Sequence, residues 1–155
     1  MTDHSMLCAE LFLGGYNCAQ SVVIAFSDLT GLDRDFSARM ASSFGGGMGR
    51  MREVCGAVSG MLMVAGILYG YDTPGNDAQK KAHYALVQEL AGQFRREAGS
   101  IICREILNNP PSDPAPTPRT EAFYRTRPCT RMLILAGEIL DRYLAEHPPQ
   151  RETSL

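Results

Sequence analysis

Between Val54 and Tyr71 the chain reads VCGAVSGMLMVAGILYGY, eighteen residues without a charged side chain. A helix that is apolar on every side belongs in an interior. Glycines at Gly56, Gly60, Gly66 and Gly70 fall in two pairs at helical spacing. Each pair is expected to admit a neighbouring helix, offsetting the roughly 1 kcal/mol that a helix-interior glycine costs against alanine. The length approaches the roughly 20 residues of a membrane span, and Gly-x-x-x-Gly is also a membrane packing motif. Four glycines and a serine dilute the hydrophobicity, however, and no Lys/Arg cluster follows to anchor a span. We read a buried helix, with no membrane span, and expect the other helices to pack around it.

The rest of the chain supports an all-α fold. Helical periodicity runs from about Asp3 to Leu13 through Met6, Leu7, Glu10 and Leu11, and Gly14-Gly15 ends it. Asn17 suits the N-cap of a helix from Cys18 to about Ser27, with a turn over Asp28–Leu32. Asp33 or Asp35 caps a short helix to about Ser43. After a Thr73-Pro74-Gly75 turn, Asn76 or Asp77 opens the longest helix, to about Ala98, with Ala82, Leu86, Leu90 and Phe94 as its core stripe. Ser100 is expected to cap a short helix over Ile101–Leu107, and another lies around Glu121–Arg125. Five prolines make 108–119 an extended surface connection. Pro128, at a first helical position, leads a last helix from Cys129 to about Ala145. One helical domain is expected over 1–147, with a loose tail over 148–155. No strand pattern stands out.

Composition narrows the function. At 155 residues, with 45% hydrophobic and 21% charged residues, the chain suits one globular domain. A net charge of −2 argues against a nucleic-acid partner, which leaves a basic footprint. The start, MTDHSMLCAELF, lacks a basic n-region and a long apolar core, so a cytoplasmic location is expected. In that reducing compartment five cysteines point to metal binding or redox chemistry before structural disulfides.

Four cysteines share one placement. Cys18, Cys55, Cys103 and Cys129 each fall near the expected N-terminus of a helix, with Arg50, Arg52, Arg104, Arg125, Arg127 and Arg131 nearby. Helix N-termini and cations favour a thiolate, so lowered thiol pKa values are expected. The competing reading is four buried small hydrophobes, which is how Cys8 is read. No C-x-x-C occurs, excluding zinc-ribbon, thioredoxin, ferredoxin and covalent-haem signatures. Any shared site must come from tertiary structure. Gly45, Gly47 and Gly49 meet neither dinucleotide nor Walker spacing. Gly45, Gly46 and Gly47, with Gly56, are read instead as backbone lying close to the cysteines and donating N–H groups to sulfur. His4, His83 and His147 stand isolated, with His83 on a solvent-facing or satisfied position.

Asn17-Cys18-Ala19-Gln20-Ser21, then Phe44-Gly45-Gly46-Gly47-Met48-Gly49, then Cys55-Gly56-Ala57-Val58-Ser59-Gly60, with later lone Cys103 and Cys129, resemble the C_GCAxxG_C_C family of redox-active proteins. The resemblance runs from about Leu11 to Tyr143. It implies a small helical domain in which Cys18, Cys55, Cys103 and Cys129 converge. Related domains occur in split-Soret-type cytochromes, which implies an iron–sulfur centre at the cysteines; without a haem-attachment motif, no covalent haem is expected here. The leading expectation is an iron–sulfur cluster, [2Fe–2S] before other types, for electron transfer or redox sensing. Thiol–disulfide cycling and a structural zinc site are the alternatives. The sequence does not identify the redox partner, and it allows a homo-oligomer.

Overall fold

The computed structural model describes residues 2–149; the tail expected to be loose falls, from 150 on, outside the described residues. The fold is all-α. Its helices are α1 (His4–Leu13), α2 (Cys18–Ala25), α3 (Ser27–Thr30), α4 (Arg34–Ala41), the single turn α5 (Gly45–Met48), α6 (Gly56–Tyr69), α7 (Asp77–Ala98), α8 (Cys103–Ile106), α9 (Glu121–Thr126) and α10 (Cys129–Glu146). No helix among the described residues is long and apolar enough to cross a membrane.

Local chemistry explains half of these helix starts. Asp3, Asn17, Asp33, Asn76 and Thr120 each accept a backbone N–H of their own first turn. At Asn17 the cap is reciprocal, because Gln20 also accepts the Asn17 N–H. Gly31 and Gly99, both left-handed, end α3 and α7.

The central helix is α6, two residues shorter at each end than the uncharged stretch, with Cys55 as its N-cap. Ala57, Val58, Met61, Val64 and Ala65 are fully buried, and α2 crosses it closely. The reason is Gly60: a Cβ there would stand 2.9 Å from the Ala19 carbonyl oxygen and from Val22 Cβ. The second expected pair does not play this part. A Cβ at Gly66 would meet nothing, and Gly70 lies past the helix end, against its own Gly66 carbonyl. That part of α6 has no helix pressed against its glycines.

Three further expectations are corrected. In α1 the buried face is His4, Ser5, Cys8, Ala9 and Phe12, while Met6 is 50% exposed. Small residues face α10 because the helices cross at Gly137, where a Cβ would lie 2.6 Å from Ser5 Cα. The α7 stripe is buried at Leu86, Leu90 and Phe94, but Ala82 is exposed, since the first turns of α7 project beyond the core. In α10 Met132, Leu133, Leu135, Ala136, Ile139 and Leu140 are all buried, and Pro128 is the N-cap rather than the first helical residue.

Candidate functional site

The glycine-rich loop is shaped by backbone that ordinary residues avoid. Gly46, Gly47 and Gly49 have positive φ, and so do Met48, Arg50 and Arg52. Three non-glycine residues in the left-handed region within five positions hold strain, which persists where surroundings over-determine it. Here Glu53 N–H bonds to the Gly47 carbonyl at 2.9 Å and Arg52 N–H to that of Gly46 at 3.3 Å. The coiled loop delivers residues 52–55 alongside 101–104, where Val54 and Ile102 form an antiparallel bridge. Cys55 N–H then bonds to the Ile101 carbonyl at 2.8 Å and Cys103 N–H to that of Glu53 at 2.6 Å. Two cysteines 48 positions apart in sequence thus become neighbours. The bridge also shortens α8: Ile102 is extended and is the N-cap, and Ser100 Oγ accepts the Ile102 N–H rather than capping the helix.

One cavity of about 350 Å³ is lined by Cys18, Cys55, Cys103 and Cys129, which come from α2, the cap of α6, α8 and α10. Cys8 is fully buried in the core and off this lining. All five thiols are free. The glycines flank them tightly. A Cβ on Gly56 would collide with Cys18 Sγ, one on Gly47 would lie 2.7 Å from Cys103 Cβ, and Gly45 lies against the Asn17 side chain. The Gly46 N–H donates to the Cys18 sulfur, and those of Ala57 and Val58 to that of Cys55.

The expected lowering of the thiol pKa values is overturned at Cys18, Cys55 and Cys129. Burial pushes Cys18 and Cys55 up, and pushes Cys129 up to about 11. Backbone N–H groups and, at Cys129, Arg127 and Arg52 pull the other way, but desolvation outweighs them. The same cause raises Cys8 to about 12.

Sequence reasoning noted Arg52 only as a nearby charge. In the structure it is 5% exposed. Its Nε donates to the Pro111 carbonyl at 2.9 Å and its Nη1 to Cys103 Sγ at 3.6 Å, while Nη2 is buried with no hydrogen-bond partner. Arg50 Nε donates to the Asp113 carbonyl at 2.7 Å and its Nη1 to Thr117 Oγ1 at 2.9 Å. These contacts draw the proline segment over the cavity, where Pro114, Pro116 and Thr117 form part of its wall. Alternating arginines in a glycine loop were the available signal. Among the described residues, no three His, Cys, Asp or Glu side chains already stand in metal-holding geometry.

His4 was also missed as a structural centre. It is 5% exposed and stacked on Phe26 at 4.2 Å. Its Nδ1 lies 2.6 Å from Asp141 and its Nε2 2.9 Å from Asp28, which ties α1 to α10 and α3. His83 is half-buried, and burial lowers its pKa.

Comparison with known proteins gives one match. A family model described as "Putative redox-active protein (C_GCAxxG_C_C)" matches residues 16–143. No curated protein and no solved structure matches the chain.

Proposed function

The chain belongs to the C_GCAxxG_C_C family of redox-active proteins, and from that premise we propose that Cys18, Cys55, Cys103 and Cys129 together bind an iron–sulfur cluster. The observation that carries this reading is the convergence of four thiols, from four separate helix starts, on one cavity. The donor set suits the group: four sulfurs, and no carboxylate on the lining to compete. Arg52 adds a buried guanidinium nitrogen that lacks a partner beside those sulfurs, as a site missing an anionic occupant would have. At Gly47 and Gly56 a Cβ would strike Cys103 and Cys18, so glycine is what lets the backbone lie against these cysteines.

The raised pKa values of Cys18, Cys55 and Cys129 weigh against free dithiol chemistry. A buried protonated thiol is a poor nucleophile, whereas a coordinating thiol is deprotonated outright. The thiols are not already arranged as a ligand set, so loading includes their movement toward one another. A bound cluster supplies one-electron storage for electron transfer or redox sensing. The chain's part is to exclude water, donate backbone N–H groups to sulfur, and place Arg52 against Cys103 to favour added negative charge.

The test is iron, zinc and acid-labile sulfide analysis, with a visible spectrum, on protein purified without oxygen. Iron with sulfide is expected, and serine at any of the four positions removes the normal spectrum while Cys8→Ser keeps it. Zinc without sulfide, or parental spectra in all four serine variants, would overturn the proposal. Disulfide formation between cavity cysteines with neither metal present is the result that thiol cycling requires.

A further inference from the structure

The cavity carries more positive charge than its cysteines explain. Arg50, Arg52, Arg119 and Arg127 stand on its lining and no aspartate or glutamate does, although the chain is net acidic at −2. Among the described residues, Arg50 alone of these four has a carboxylate within ion-pair distance, Asp113 at 3.9 Å. Arg119 donates to the Phe12 and Tyr16 carbonyls at 2.6 and 2.8 Å. Arg52 is held inside against Cys103. Arg127, half-buried like Arg50 and Arg119, differs from all three in that its side chain forms no hydrogen bond among the described residues; its guanidinium lies 5.4 Å from the Phe123 ring centre. Beside it the wall is apolar, with Phe12, Phe123, Pro114 and Pro116. A volume of about 350 Å³ lies in the range of small-molecule sites, which pair an apolar wall with few polar groups.

We propose that this cavity binds a small organic anion with an apolar body, its anionic group on Arg127 and its body against Phe123, Pro114 and Pro116. The unused planar fork of Arg127 suits a carboxylate or sulfonate, which it can hold by two parallel hydrogen bonds. Stacking on Phe123 holds that fork in place at the cavity. A purely inorganic ion leaves the apolar wall uncovered. The inference goes beyond the cluster and does not require it, because Arg127 and the wall are present whether or not the thiols hold metal.

Calorimetric titration with benzenesulfonate tests this on the full chain, once metal-free and reduced, and once anaerobically loaded. Binding at one site is expected in both forms. Neutral benzenesulfonamide and inorganic sulfate are each expected to bind roughly tenfold or more weaker, since each lacks one half of the recognition. Arg127→Gln removes no hydrogen bond of the fold and should weaken benzenesulfonate by a similar factor. Arg125→Gln, an exposed neighbour paired at 4.0 Å with Glu121, should leave affinity unchanged. Absence of binding, equal affinity for the sulfonamide or sulfate, or an unaffected Arg127→Gln would overturn the inference. So would binding confined to the metal-free form, which would assign the positive charge to the cluster alone. Iron and sulfide analysis of the same samples keeps the two proposals apart. Protein that stays iron-free through anaerobic loading yet binds benzenesulfonate removes the cluster and keeps the anion site; loaded protein that ignores it does the reverse.

Discussion

The His4 cluster and the cysteine cavity both bury polar atoms, and they treat them in opposite ways. At His4 each ring nitrogen faces a carboxylate oxygen, and the backbone N–H also reaches Asp141. Every donor has a partner within the chain. At the cavity a guanidinium is nearly as deeply buried, yet one of its nitrogens has none, and four thiols stand beside it unjoined. A buried polar group without a partner costs about 1–3 kcal/mol, whereas a paired one is close to neutral or favourable. The first arrangement is a fastener. The second gives up stability within the chain, which a ligand can restore.

The largest effect tests what the two regions share, the packing of α6. Gly60→Leu presses a side chain into the α2 backbone and should lower stability by about 3 kcal/mol or more, despite leucine's better helix propensity. It should also expose the cavity cysteines to alkylation, because Gly60 is one turn beyond Gly56. A thermal melt equal to the parent's would show that the crossing is open. Next comes the fastener. His4→Leu should cost about 2–3 kcal/mol in urea unfolding, with Asp28 and Asp141 partly rehydrated, and leave cavity-thiol labelling unchanged; altered labelling would mean the regions are coupled.

A third effect is in pH. Cys8, Cys18, Cys55 and Cys129 have raised thiol pKa values in the folded protein. The unfolded chain therefore releases these protons first. The stability they contribute is complete below about pH 9 and is lost as pH rises toward about 11, where Cys129 titrates. Cys129 accounts for about 2 kcal/mol of that loss across the window in metal-free protein, and the other three thiols add to it. A flat profile between pH 8 and pH 11 would contradict it. The smallest effect is the sharpest contrast. Arg52→Met removes a buried charge that has no carboxylate, so metal-free stability should change by less than about 1 kcal/mol, while iron incorporation falls. A loss as large as that of His4→Leu would make Arg52 another fastener and erase the distinction.

What could be read from sequence follows the range of the interactions. The caps at Asn17, Asp33 and Asn76, the uncharged run of α6 and the apolar stripe of α10 depend on neighbours within a few positions, and each appears in the fold. The buried face of α1 was misjudged because it is set by Gly137, more than a hundred residues away. His4 looked isolated for the same reason: its partners Asp28 and Asp141 arrive only when α3 and α10 pack. The cysteine placements at helix starts were legible, but burial was not, and burial reversed the direction of the shifts at Cys18, Cys55 and Cys129. The extended bridge between 52–55 and 101–104 has no alternating pattern to announce it.

The segment 108–119 looks, by its prolines, like a part of the chain free to drift in length. Its anchoring says otherwise. Arg50 reaches the carbonyl of Asp113 and Arg52 that of Pro111, so two rungs spaced by two residues on one side meet two rungs spaced by two on the other, running in opposite directions. Adding or deleting one residue at Ser112 would put the rungs out of step, and only one arginine could then keep its carbonyl. Surface connections usually absorb insertions; this one behaves as a ruler, its residue count matched to that of the loop it spans.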